Sequence, residues 1–157
     1  MGKIDDALQQ QGITLPTPGA PIANYVPCVI SGHQLIVSGQ LPLGLDGKLD
    51  DRFKGKLGAT VSDETGREAA KLCAINVLAQ ARVALGGDLD RIVRCVRLGG
   101  FINAQPDYAT VPAIMNGASD FMVGLMGDAG RHARSTVGVA VLPFNAAVEV
   151  EALFEIR

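Results

Sequence analysis

The sequence predicts an α+β domain, a mixed sheet accompanied by two long helices, spanning all 157 residues. Three observations carry this expectation. First, Val148, Val150, Ala152, Phe154 and Ile156 occupy alternate positions near the C-terminus, with Glu149, Glu151 and Glu155 between them, which is the period of a strand buried on one side. Second, residues 62–85 and 106–126 carry apolar side chains at spacings of three and four, the period of a helix with one buried stripe. Third, Ser31-Gly-His-Gln34 supplies a turn between two apolar runs, so those runs form a hairpin. The later strand–helix–strand spacing implies a crossover and strands that run parallel. A hairpin and a crossover in one sheet make it mixed.

Taken in order, Gly2 to Gln11 sets Ile4, Ala7 and Leu8 against Lys3, Asp5, Asp6, Gln9 and Gln10, a short helix ending near Gly12. With the proline-rich connector Thr14–Pro21 it forms an N-terminal extension over residues 1–21 of a single 1–157 domain. Asn24–Ile30 and Gln34–Ser38 read as the hairpin strands, with Pro27 confining the first to an edge or a bulge. Ser38-Gly39 at a strand end is either a simple bulge or a place where bare backbone approaches a ligand. Residues 43–59 are glycine-rich loop with a short strand near Lys48–Leu49.

Ser62 caps the first long helix, Asp63 and Glu64 suit its positive end, and Gly86-Gly87 stops it. Ala69, Leu72, Cys73, Ala79 and Val83 are its expected buried face, with Asn76 tied to a backbone group. Arg91–Leu98, continued through Phe101–Asn103, is the next strand, although Arg91, Arg94 and Arg97 break strict alternation. The second long helix opens at Pro106–Pro112, packs Ile114, Ala118, Phe121, Met122, Leu125 and Met126, and ends at Gly127–Gly130. Its methionines read as core filler. Val137, Val139 and Val141 mark a further strand, joined to the last one through Pro143–Ala147.

Composition narrows the function. A net charge of −2 and 4% aromatic residues give neither a global basic field nor a base-stacking platform, which argues against nucleic acid as a partner. Cys28, Cys73 and Cys95 form no Cys-x-x-Cys pair and read as reduced thiols. No signal-like stretch or membrane-length apolar run occurs, so a cytoplasmic location is expected. His33 and His132, the two histidines, sit in no ligand-spaced cluster, so no metal site is expected. Phosphate-loop, dinucleotide and nucleophile-elbow motifs are missing, and no cofactor is expected. The remaining chemistry is that of arginine, glutamate, hydroxyls and backbone amides. Arg134 opens one C-terminal strand and Glu149 the other. An arginine fork grips a planar carboxylate, and a glutamate can activate a water. On spacing alone the favoured reading is Arg134 as a strand-end surface residue and Glu149 as one of a solvated acidic stripe.

Ala133-Arg-Ser-x-Val-x-Val-x-x-Leu-Pro143 followed by Val148-Glu-Val-Glu-Ala152 resembles the C-terminal signature of the YjgF/RidA family, the reactive-intermediate imine deaminases also called endoribonuclease L-PSP. The likeness extends from Tyr25 through Ser38-Gly39-Gln40, the alanine-rich helix with Asn76, and Asp107-Tyr-Ala-Thr-Val111. It implies a chorismate-mutase-like fold, with both long helices on one face of the sheet and the other face inside a homotrimer. It implies hydrolysis of a small 2-imino or enamine acid to the 2-keto acid and ammonia, as in 2-iminobutanoate/2-iminopropanoate deaminases. Arg134 matches the carboxylate-binding arginine and Glu149 the glutamate of the hydrolytic water. Tyr25, Ser38, Gly39 and Tyr108 match pocket positions, Tyr108 where phenylalanine is usual. Asn116 matches the helix asparagine with one residue inserted before Arg134, and Thr136 stands where the deaminase branch often has cysteine. The N-terminal helix, the longer loop before Ser62 and the segment with Arg131 and His132 resemble a longer branch, in which Arg131 and His132 are expected to add positive charge to the pocket. A non-catalytic binder of carboxylates or partners is the alternative, and ribonuclease activity a third.

If the two C-terminal strands pair as a hairpin, Arg134 falls opposite Ile156 and Glu149 opposite Val141. Seven residues of strand, about 23 Å, then separate the two side chains. A site shared between subunits resolves this.

Overall fold

The computed structural model describes residues 2–19 and 23–157; the end of the expected extension, at residues 20 and 21, lies outside them. The described chain is a mixed five-stranded sheet with two long helices on one face. In chain order the elements are α1 (Lys3–Gln10), β1 (Cys28–Ser31), β2 (Gln34–Gln40), α2 (Asp63–Ala84), β3 (Ile92–Asn103), α3 (Val111–Met126), β4 (Ala133–Val139) and β5 (Val148–Ile156). The sheet order is β1-β2-β5-β3-β4. β3 and β4 are parallel neighbours, and every other neighbouring pair is antiparallel. β2 and β3 run in the same direction, as the crossover requires, but β5 lies between them.

This order corrects the C-terminal hairpin. β4 and β5 do not pair, because β3 sits between them. The crossover through α3 lays β4 along the outer edge of β3, while β5 returns on its other side.

Local chemistry explains the helix ends. The backbone amides of Lys3 and Ile4 donate to the Asp90 carboxylate at 2.7 and 3.0 Å, so a side chain from the α2–β3 connection caps α1. Those two bonds hold the Asp90 carboxyl below its ordinary range. Asp5 pairs with Arg82 of α2, and Ile4 and Leu8 are buried. Ser62 accepts from the Thr65 amide at 3.1 Å and caps α2. Ser62→Ala should cost about 1 kcal/mol, read as a lower midpoint in urea with an unchanged slope.

The buried stripe of α2 runs through Ala70, Cys73, Ala74, Val77, Ala81 and Leu85. Of the face read in the sequence, Ala69, Cys73 and Ala79 are buried, but Val83 is 64% exposed, because the buried stripe ends through Ala81 and Leu85 on the other side of the helix. Asn76 donates to Leu43 O and Leu72 O, tying the glycine-rich loop to the helix. Where α2 crosses α3, a Cβ on Gly117 would overlap the Arg67 carbonyl oxygen, so the two backbones nearly touch. The core lies between these helices and one sheet face, with Leu35, Leu98, Ile102, Val150 and Phe154 meeting Val77, Leu78, Ile114, Met115 and Met122.

The arginines of β3 also gain a reason. The ladder to β5 slips between Ile92 and Arg94 and again between Cys95 and Arg97. Each slip adds a residue, so Ile92, Cys95 and Leu98 all stay buried at a spacing of three. Arg94 then faces Glu155 and Arg97 faces Leu153 on the side away from the helices.

Among the described residues no element covers that second face. It carries Val29 and Ile36 at 47% and 45% exposure, Phe101, Leu153 and Val137, among Arg97, Glu149 and Glu151. The valine alternation of β4 therefore points to this open face rather than to the core. An apolar sheet face without a cover is the mark of a surface meant for another chain.

Candidate active site

Pairing places Arg134 and Glu149 on opposite faces of the sheet. Arg134 lies beside Leu98, which lies beside Ala152, and both neighbours are buried toward the helices. Glu149 lies beside Phe101, three residues further along, on the open face. Three residues along the strands and two strand spacings across put their backbones about 14 Å apart. This replaces the longer hairpin separation, and the intervening sheet keeps the two side chains of one chain apart.

Arg134 is held against the start of α3. Its Nη1 donates to Asn116 Oδ1 at 2.9 Å and to Ser119 Oγ at 3.1 Å, and its Nη2 donates to Pro112 O at 3.3 Å. Asn116 and Ser119 are one helical turn apart and so share a face. Of the five guanidinium N–H groups, three are used among the described residues. One on Nε and one on Nη2 remain, on neighbouring nitrogens. Thr136 is two residues on and faces the same side of the sheet as Arg134. Its hydroxyl is buried with no hydrogen-bond partner among the described residues. Leaving such a group unpaired costs about 1–3 kcal/mol, which a bound atom would recover. Beneath it Gly100 admits Met115, since a Cβ there would lie 2.5 Å from the Met115 sulfur.

Glu149 belongs to a separate cluster. A Cβ at Gly39 would overlap the Glu149 carboxylate, and one at Gly99 would lie 2.6 Å from Glu151 Oε1. Both glutamates lie over bare backbone. The ladder between β2 and β5 slips between Val37 and Gln40, so Ser38-Gly39 is a bulge. Burial, and then the neighbouring charge of Glu151, raise the Glu149 carboxyl above its ordinary range.

That direction gives a prediction. A carboxyl with a raised folded pKa disfavours the fold when ionised, and the penalty fades as pH falls through that value. Glu149→Gln should therefore melt higher than wild type at pH 7.5, and the gap should close near pH 4, as followed by calorimetry.

The other expected pocket residues divide between these clusters or stand apart. Ser38 Oγ donates to Val26 O at 2.9 Å, so this hydroxyl braces the segment before β1. Tyr25, in that segment, is 58% exposed. Tyr108 packs over Gly58 and donates to Asp63 Oδ1 at 2.7 Å, tying the entry of α3 to the start of α2. Arg131 pairs with Asp128 and lines a surface cavity of about 490 Å³ with Arg94, Val96, His132, Ala133 and Glu155.

Two contacts of this region escaped sequence reasoning. Ser119 was recoverable as the residue one turn after Asn116. Asn103, buried in β3, accepts from Lys56 Nζ at 2.6 Å and donates to Asn145 Oδ1 and Ala146 O, both at 3.1 Å. This fixes the connection that delivers Glu149, where Phe144 and Asn145 take positive φ of 55° and 58°. Burial pushes the Cys28 thiol up to about 11 and the Cys95 thiol up to about 12, and burial followed by the charge of Glu149 raises that of Cys73.

Residues 5–156 match the family described as "YjgF/chorismate mutase-like, putative endoribonuclease". Protein TCP17 of Trypanosoma cruzi is 47% identical, with 99% of this chain and 96% of that protein covered. The crystal structure of Atu1372 from Agrobacterium tumefaciens, of unknown function, is 44% identical at a TM-score of 0.90, covering 99% of this chain and 93% of that one. Escherichia coli TdcF, solved with bound serine, is 28% identical at a TM-score of 0.62 over 92% of this chain and 94% of its own. The fold, the C-terminal signature and these matches agree: the chain belongs to the YjgF/RidA family.

Proposed function

We propose that the protein hydrolyses small 2-imino acids, or their enamine tautomers, to 2-keto acids and ammonia. The observation that carries this reading is the Arg134 guanidinium, anchored on α3 with N–H groups left on Nε and Nη2. Two such donors on neighbouring nitrogens suit the two oxygens of a carboxylate. Thr136, with its unpartnered hydroxyl, supplies a further polar contact beside it.

Glu149 is the base. Its raised pKa makes it a better proton acceptor near neutral pH than an ordinary carboxylate. Water adds to the imine carbon and gives a proton to Glu149. Glu149 passes that proton to the imine nitrogen, giving the carbinolamine, and then carries the hydroxyl proton to the amine nitrogen as the C=O bond forms, the C–N bond breaks and ammonia leaves. No redox partner is needed, and holding water and imine together supplies much of the acceleration.

Because one chain keeps Arg134 and Glu149 on opposite sheet faces, the complete site takes them from two copies. The open face with Val29, Ile36, Phe101 and Val137 is the surface that brings copies together, in a homotrimer as the family resemblance implies. TdcF holding serine, an amino acid with its own carboxylate, supports a small carboxylate as the ligand. Ammonia release from freshly generated 2-iminobutanoate tests the reading. Release above the spontaneous rate is expected from wild type, and a rate equal to the spontaneous one would leave a carboxylate binder without catalysis.

A further inference from the structure

Arg134 touches a residue whose own partner lies outside the expected site. His132 Nδ1 is 2.6 Å from Gly130 O, and its Nε2 is 2.9 Å from Ser119 Oγ. Ser119 Oγ is in turn 3.1 Å from Arg134 Nη1. A carbonyl oxygen only accepts, so the Nδ1 of the ring carries the hydrogen. In the neutral imidazole Nε2 is then an acceptor, and the Ser119 hydroxyl donates to it. With its hydrogen committed, the Ser119 oxygen turns a lone pair toward Arg134. Every donor and acceptor in the chain Gly130 O, His132, Ser119, Arg134 is matched in one direction.

We propose that His132 and Ser119 are positioning residues that orient the Arg134 guanidinium for a carboxylate ligand. This rests on the proposed role of Arg134 as the clamp. Arg134 reaches the helix from an edge strand and is half-buried, and its guanidinium is held by hydrogen bonds to Asn116, Ser119 and Pro112 O. Asn116 holds one Nη1 hydrogen and Pro112 O holds one Nη2 hydrogen at 3.3 Å, which leaves the second Nη1 hydrogen to Ser119. Ser119 closes the second Nη1 bond, but a serine hydroxyl rotates and can donate elsewhere. His132, anchored at Gly130, removes that freedom. The relay is local: Gly130 ends the α3 connection, and His132 and Arg134 flank Ala133 at the start of β4.

The ring and the ligand give separate readouts. In the free protein, ¹⁵N–¹H correlation spectra of the His132 ring should show hydrogen on Nδ1 and an unprotonated Nε2 at pH 8, with the Nε2 signal moving in Ser119→Ala. Affinity for 2-oxobutanoate, measured by calorimetry, should fall roughly 5- to 10-fold in Ser119→Ala and in His132→Phe, the loss of one oriented hydrogen bond to a charged group. His132→Gln, whose side-chain oxygen can accept from Ser119, should recover most of it. The Ser119→Ala/His132→Phe double variant should be no weaker than either single one, because both interrupt one series. Hydrogen on Nε2, or unchanged affinity in both single variants while Arg134→Ala loses binding, would overturn the relay and leave the clamp intact. Unchanged affinity in Arg134→Ala would remove the clamp and the relay's purpose together, whichever tautomer the spectra report.

Discussion

If the protein hydrolyses imino acids as proposed, Arg134→Ala should lower kcat/KM for 2-iminobutanoate by roughly 100-fold or more. Two charge-assisted hydrogen bonds to a carboxylate are lost, each contributing about 1.5–3 kcal/mol, and each 1.4 kcal/mol is a factor of ten. The variant should still fold, because Arg134 lies on an edge strand and its three protein contacts are to groups near solvent. Arg134→Lys keeps the charge but not the fork, and should recover only a small part of the lost activity. Steady-state kinetics with melting curves of the same samples check both points. A large activity loss with an unchanged melting temperature is the expected pair.

Gly117→Ala should cause a large loss of stability. Its Cβ would overlap a backbone carbonyl, that of Arg67, and backbone cannot swing aside as a side chain can. Separating α2 from α3 disturbs the core between Ile114, Met115 and Val77. Overpacking of this kind costs about 3 kcal/mol, offset by up to about 1 kcal/mol of helix propensity. For a chain of this size the net loss lowers the melting temperature by roughly 5–10 °C. Gly124 lies on the same helix with nothing within 4 Å of its Cβ position. Gly124→Ala should therefore stabilise by about 0.5–1 kcal/mol. Opposite signs for one substitution on one helix separate the close crossing from helix propensity.

The parts of this fold legible in the sequence were those whose cause is local. Ser62 with Asp63 and Glu64 named the start of α2, and the alternation from Val148 to Ile156 named the buried face of β5. Strand partners were not local. Nothing between Val139 and Val148 tells the chain that β3 will stand between β4 and β5. The arginine spacing of β3 became intelligible only with its two bulges, which depend on the β5 register. Val83 shows a similar limit: spacings of three and four fit two neighbouring stripes of α2, and packing against α3 and the sheet selects one. For the site, Arg134 is hydrogen-bonded to Asn116, and Glu149 lies on the other side of the sheet over Gly39. Face assignment follows from register, so the motif could identify these residues but not their sides.

The central claim, that each complete site takes Arg134 from one copy and Glu149 from another, is tested most directly by co-assembling two inactive variants. Arg134→Ala and Glu149→Gln chains are mixed in equal amounts, reassembled as trimers, and assayed for ammonia release. In random trimers a site has even odds of an intact arginine from one copy and of an intact glutamate from the next, so about one quarter of wild-type turnover should return. No turnover above that of the separate variants, in preparations where mixed trimers are demonstrated, would contradict the account.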